Sequence, residues 1–125
     1  MKRIFVCFAM EDVNHKVLFT GQAKNNNVTY DFIDMSVKEP WDTDWKNRCR
    51  TRIKGCHGFI VLVSKNLDQA AGAMWEIECA KEEKIPILGV YIDGAGWLDK
   101  PTSLFFIDAV EWKWNNIKAF IDKLT

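Results

Sequence analysis

The sequence has no excess of either charge. Seventeen basic and seventeen acidic residues leave a formal net charge of zero. The electrostatic footprint of a dedicated nucleic-acid binder is therefore missing. No apolar run approaches the roughly 18 residues that cross a bilayer, so no membrane partner is expected. Histidine is scarce: His15 and His57 are the only two, and neither stands at ligand spacing from Cys7, Cys49, Cys56 or Cys79. There is no Cys-x-x-Cys pair, and no metal site is expected. A Gly-x-Gly-x-x-Gly turn is absent, as is a Gly-x-x-x-x-Gly-Lys-Ser/Thr loop. This removes a conventional dinucleotide-binding turn and a phosphate-cradling ATPase. Repeats, low-complexity stretches and linkers are lacking as well.

What remains is an ordinary globular composition, 48% hydrophobic and 27% charged over 125 residues. That length predicts one domain over 1–125. A folded chain of this mass exposes roughly 6,900 Å², against about 21,000 Å² when extended, so a substantial core is possible. The opening Met-Lys-Arg-Ile-Phe-Val-Cys-Phe resembles the head of a signal peptide, but Glu11 and Asp12 end its apolar run early. It reads as a strand. Cysteines inside apolar segments behave as small core residues of a reducing compartment, which predicts a cytoplasmic location.

Short β-like runs alternate with helical patterns. Strands are predicted over 3–8, 28–33, 58–63 and 85–92, with a last short one inside 105–112. Helices are predicted over 12–24, 44–54, 73–84 and 114–124. Val13, Val17 and Leu18 mark the first helix, and Trp45, Cys49 and Ile53, four apart, mark one face of the second. Gly55 is a suitable stop. The 58–63 and 85–92 runs are apolar without alternation, as in strands covered on both faces. Between them, 64–72 reads as a polar loop, and 95–104 as irregular chain. The alternation predicts an α/β, flavodoxin-like three-layer sandwich. Its sheet has five parallel strands in the order 2-1-3-4-5.

In that order the winding reverses between strands one and three, and ligands bind outside their carboxyl ends. The crevice is then built from the loop after Phe8, the loop after Val63 and the start of the helix at Ala73. A response regulator would need an aspartate where strand three ends in Val63 and Ser64. At about 100° per residue, Ala73, Ile77 and Ala80 form the apolar centre of the third helix. Glu78 and Glu82 point to solvent. Glu76 lies roughly 60° from Ala73, at the edge of the apolar face and in the first turn, towards the crevice. Geometry alone leaves two readings of it: a carboxylate complementing the helix dipole, or a functional group. Trp75 is either a packing residue or a stacking platform. Asp12 is either the cap of the first helix or a crevice residue. Cys7 has no histidine near it in sequence to activate it and reads as core.

Several of these segments resemble one family. Arg-Ile-Phe-Val-Cys-Phe-Ala-Met-Glu-Asp at 3–12 is similar to the first-strand motif of TIR (Toll/interleukin-receptor) domains. Gly-Phe-Ile-Val-Leu-Val-Ser at 58–64 resembles their third strand with its terminal serine. Ala-Met-Trp-Glu-Ile-Glu-Cys-Ala at 73–80 resembles the glutamate-bearing helix that follows, and 84–92 their fourth strand. The nearest group is the bacterial TIR-like family that includes the ThsB proteins of Thoeris antiphage defence. The sequence departs from the pattern in two places. Cys7 stands where a serine is usual, and Trp75 immediately precedes the glutamate.

The resemblance implies an NAD⁺-cleaving enzyme in which Glu76 is catalytic. Phe8, Ala9, Asp12, Ser64 and Trp75 are then the substrate-binding set. NAD⁺ is the substrate, and no cofactor is implied. Loss of nicotinamide develops oxocarbenium character on the ribose, which a carboxylate stabilises or captures. Water then yields ADP-ribose, whereas attack from within the same molecule yields a cyclic product. The cyclic outcome is the one the ThsB resemblance implies. Two alternatives stay open: a non-enzymatic TIR-like interaction module, and a nucleoside deoxyribosyltransferase-like enzyme. Trp41, Trp97, Trp112 and Trp114 cannot all be deeply buried; they either cap the ends of the sheet or form a partner face, and on the second reading self-assembly or a trigger protein is expected.

Overall fold

The protein, described by a computed structural model, runs β1 (Arg3–Cys7), α1 (Val13–Asn25), β2 (Asp31–Ile33), α2 (Thr43–Lys54) and β3 (Gly58–Val63). It continues through α3 (Ala71–Glu82), β4 (Ile87–Tyr91), β5 (Ala109–Glu111) and α4 (Trp114–Asp122). Residues 2–28, 30–35 and 37–125 are described. The five strands form one parallel sheet in the order β2-β1-β3-β4-β5. This is the flavodoxin-like α/β arrangement. The accessible surface, 7001 Å², is close to the value expected from mass alone.

Burial follows from the two-residue period of the strands. Phe5, Cys7, Phe59, Val61 and Val63 face α2 and α3, where they meet Trp45, Cys49, Ile53, Ala73, Ile77 and Ala80. Ile4, Val6, Ile60, Leu62, Leu88 and Val90 face the other way, onto Phe19 and Ala23 of α1 and Ile117 and Ile121 of α4. Phe5 and Phe59 stack on neighbouring strands with centroids 5.2 Å apart. All six residues of β3, the central strand, are buried, as its unbroken apolar run requires.

Some boundaries differ from the sequence reading. β2 is only three residues long, because just Asp31–Ile33 pair with β1. The Thr29 part of the expected 28–33 strand lies outside the described residues. In α1 the buried stripe is Phe19 and Ala23, while Val17 and Leu18 face solvent. α3 starts at Ala71, so part of the expected 64–72 loop is helical. The rest of that loop holds a short 3-10 turn at Leu67–Gln69. Two more such turns, Trp97–Asp99 and Thr102–Leu104, fill the irregular stretch before β5. Gly55 does cap α2, but at φ −80°, so its conformational freedom is unused. No helix among the described residues is long and apolar enough to cross a membrane.

Candidate functional site

The chain leaves β1 at Cys7 and passes Phe8 and Ala9, both fully buried, into a short 3-10 turn at Met10–Asp12. The chain leaves β3 at Val63 and passes Ser64, also buried. These two exits flank the point where the winding reverses, the place at which the sequence predicts the crevice. They are bonded to each other: the Ser64 hydroxyl donates to the Asp12 carboxylate. Asn66 Nδ2 adds a second bond to Asp12 at 3.0 Å, and the Ser64 oxygen accepts the Asn66 amide at 3.1 Å. Asp12 makes no capping bond to α1, which removes the cap reading. Its side chain serves to clamp the two loops together.

Glu76 enters from α3. Since the helix begins at Ala71, Glu76 sits in its second turn and not its first. The help expected from the helix N-terminus has largely decayed there. Instead, the carboxylate is wholly buried. Lys38 Nζ donates to both its oxygens, at 2.9 and 2.8 Å, and is itself 4% exposed. The thiol of Cys49 lies 3.9 Å from one oxygen. Burial pushes the Glu76 carboxyl up to about 7, against the opposing pull of Lys38. Burial, then the nearby Glu76 charge, holds the Cys7 and Cys49 thiols well above their ordinary range. Neither is a nucleophile in this state.

The Lys38 ammonium also lies 4.5 Å from the centroid of the Phe8 ring, and Lys16 Nζ lies 5.5 Å from it. Phe8, Lys38 and Glu76 therefore form one cluster: an aromatic face, a cation and a carboxylate. Trp75 goes elsewhere. Its ring packs edge-on to Trp45 at 5.4 Å and beneath Arg50 at 5.5 Å, in the contact between α2 and α3. Ala9 contributes backbone, its carbonyl accepting the Asp12 amide at 2.8 Å.

Lys38 escaped the sequence reading. It follows β2 in an irregular stretch with no period and no motif. The available signal was topological, since the loop after β2 also leaves the sheet at its carboxyl end, beside β1. A groove of about 1040 Å³ lies alongside, between α1 and β2. Lys16 and Asp34, paired at 2.9 Å, line it, but Glu76 does not. Among the described residues, no group of three or more His, Cys, Asp or Glu side chains is placed to hold a metal ion.

A family model described as the TIR-like domain of the Thoeris protein ThsB matches residues 5–96. The match spans both crevice loops, Lys38 and Glu76. No curated protein matches the chain.

Proposed function

The chain belongs to the TIR-like domain family of the Thoeris protein ThsB, an antiphage defence family, and from that premise we propose that it cleaves NAD⁺ at the nicotinamide–ribose bond. The observation carrying this reading is the buried Glu76 carboxylate, paired with a cation beside the face of Phe8. Such a pocket favours positive charge at one point. In the reaction the C1′–N bond breaks and its electron pair leaves with nicotinamide, which departs neutral. The positive charge passes to the ribosyl carbon, where Glu76 stabilises it or captures it covalently. Phe8 offers an aromatic surface for the cationic ring. Asp12 and Ser64 hold the two loops at fixed separation, and the Ala9 carbonyl steadies the turn that carries Asp12. Trp75 contributes by fixing α3 against α2.

The product is a cyclic ADP-ribose-type signal when a nucleophile of the same molecule captures the ribosyl carbon, and ADP-ribose when water does. A dry pocket favours the first. The test is incubation with NAD⁺ and chromatography for nicotinamide and for each product. Release by the parent protein that is lost in Glu76→Gln supports the reading. Release that persists in that variant removes Glu76 as the catalytic group. A parallel incubation with a deoxynucleoside tests the deoxyribosyltransferase alternative through release of free base.

A second role, assembly with copies or a trigger protein, is favoured by one observation. Trp97, Leu98, Phe105 and Phe106 are 69–95% exposed within a single stretch before β5. Apolar side chains this exposed are typical of contact surfaces.

A further inference from the structure

Three things that a cationic substrate would use are already taken by this chain's own lysine. Both Glu76 oxygens accept from Lys38. The Phe8 ring faces the same ammonium at 4.5 Å. The carboxylate has no exposed surface left. We infer that Lys38 is a built-in plug, a tethered cation that occupies the position of the substrate's positive charge and must be displaced before anything reaches Glu76. The inference rests on the reading of Glu76 as the NAD⁺-cleaving carboxylate, and names how that site is kept closed.

The plug is fitted from two sides. Its aliphatic stem lies on Gly72 in the first turn of α3. A Cβ at position 72 would stand 2.5 Å from Lys38 Cβ and 3.0 Å from its Cδ. Those atoms are the near part of the side chain, so the backbone carrying Lys38 would have to retreat. From α2, the buried Trp45 Nε1 donates to the Val37 carbonyl at 2.6 Å, holding the strap, residues 37–42, against that helix. Exposure along 37–42 is uneven: Val37 and Trp41 are 59% and 77% exposed, while Lys38, Glu39, Pro40 and Asp42 are half-buried. Local opening of this segment breaks the bonds made by Lys38 and the Val37 carbonyl.

Exchange of one cation for another explains why the plug can leave. Withdrawing Lys38 with no replacement leaves a buried carboxyl that loses its partner and must take up a proton. Replacing it with a cationic nicotinamide ring keeps the carboxylate and Phe8 partnered throughout. A ligand without a cationic ring lacks this compensation. The plug is therefore also a filter for positive charge.

The test uses the thiols as reporters. Cys7 and Cys49 flank Glu76 behind the plug, whereas Cys56 lies beyond the end of α2, far along the sheet. The parent protein, Lys38→Ala and Gly72→Ala are labelled with iodoacetamide under native conditions, and the sites are located by mass spectrometry. Nicotinamide release from NAD⁺ is followed on the same samples. Opening the plug should speed labelling of Cys49 and Cys7 at least about tenfold while Cys56 keeps its rate. Nicotinamide release should rise with it. Unchanged labelling at Cys7 and Cys49 in both variants overturns the plug, as does parent release equal to that of both variants. Faster labelling with no nicotinamide from any sample upholds the plug and overturns the NAD⁺ reading. If Lys38→Ala labels Cys56 as fast as Cys49, it has unfolded, and Gly72→Ala, which keeps the lysine, decides.

Discussion

The Ser64 hydroxyl donates to the Asp12 carboxylate across the line where the winding of the sheet reverses. Two loops distant in sequence are thus locked together. Both partners are buried, and Asn66 completes the acceptor's bonding. Asp12→Ala strands the Ser64 hydroxyl and the Asn66 amide. The expected loss is about 1–3 kcal/mol. Urea unfolding should show a lower midpoint with an unchanged slope. A midpoint equal to the parent's would mean the clamp adds nothing to the fold.

Stability should carry a pH signature from Glu76. Its folded value is raised from the ordinary 4.5 to about 7, chiefly by burial. Between those values the folded state holds a proton that the unfolded chain has released. The contribution of this group to stability is complete below about 4.5 and declines as pH rises through about 7. The full decline is worth up to ~3 kcal/mol. Glu76→Gln should flatten it, so the stability difference between parent and variant should shrink or reverse with rising pH across this window. Parallel curves for the two proteins would refute the raised value.

Trp45 links the strap to the core. Trp45→Phe keeps an aromatic ring but removes the donor to the Val37 carbonyl. The expected cost is about 1–2 kcal/mol. Hydrogen exchange read by mass spectrometry should speed up over 37–42 and stay unchanged in β3. Exchange over 37–42 that stays at the parent rate would show that this bond does not hold the strap.

Phe106 is 95% exposed. Phe106→Lys should leave stability within about 0.5 kcal/mol of the parent, since nothing is packed against the ring's outer face. Sedimentation across a concentration series should show weaker self-association in the variant. A parent that stays monomeric at every concentration removes this segment as a contact between copies.

The sequence carried the fold through its two loudest runs. Gly58–Val63 and the core of 85–92 have no polar alternation, and only a two-sided burial explains that. The inward placement of Glu76 was legible because helical register set it apart from the exposed Glu78 and Glu82; a catalytic role for it came only with the family resemblance. Its partner was not legible. Lys38 is 38 positions away and belongs to no periodic element, so only the fold brings the two together. Asp12 stayed open between two readings for a related reason: aspartate before an apolar helix looks like a cap, and local sequence cannot reveal the buried Ser64 donor that its carboxylate meets instead. The early start of α3 was hidden by Gly72, a poor helix former retained because the Lys38 stem lies on it.

β2 and β5, the two borders of the sheet, contribute three residues each. A stray extended chain that docks on either margin finds room for only a few ladder bonds. Runaway strand addition and fibre growth therefore gain no foothold on the native molecule. Any association between copies is then left to side-chain contacts and not to strand pairing.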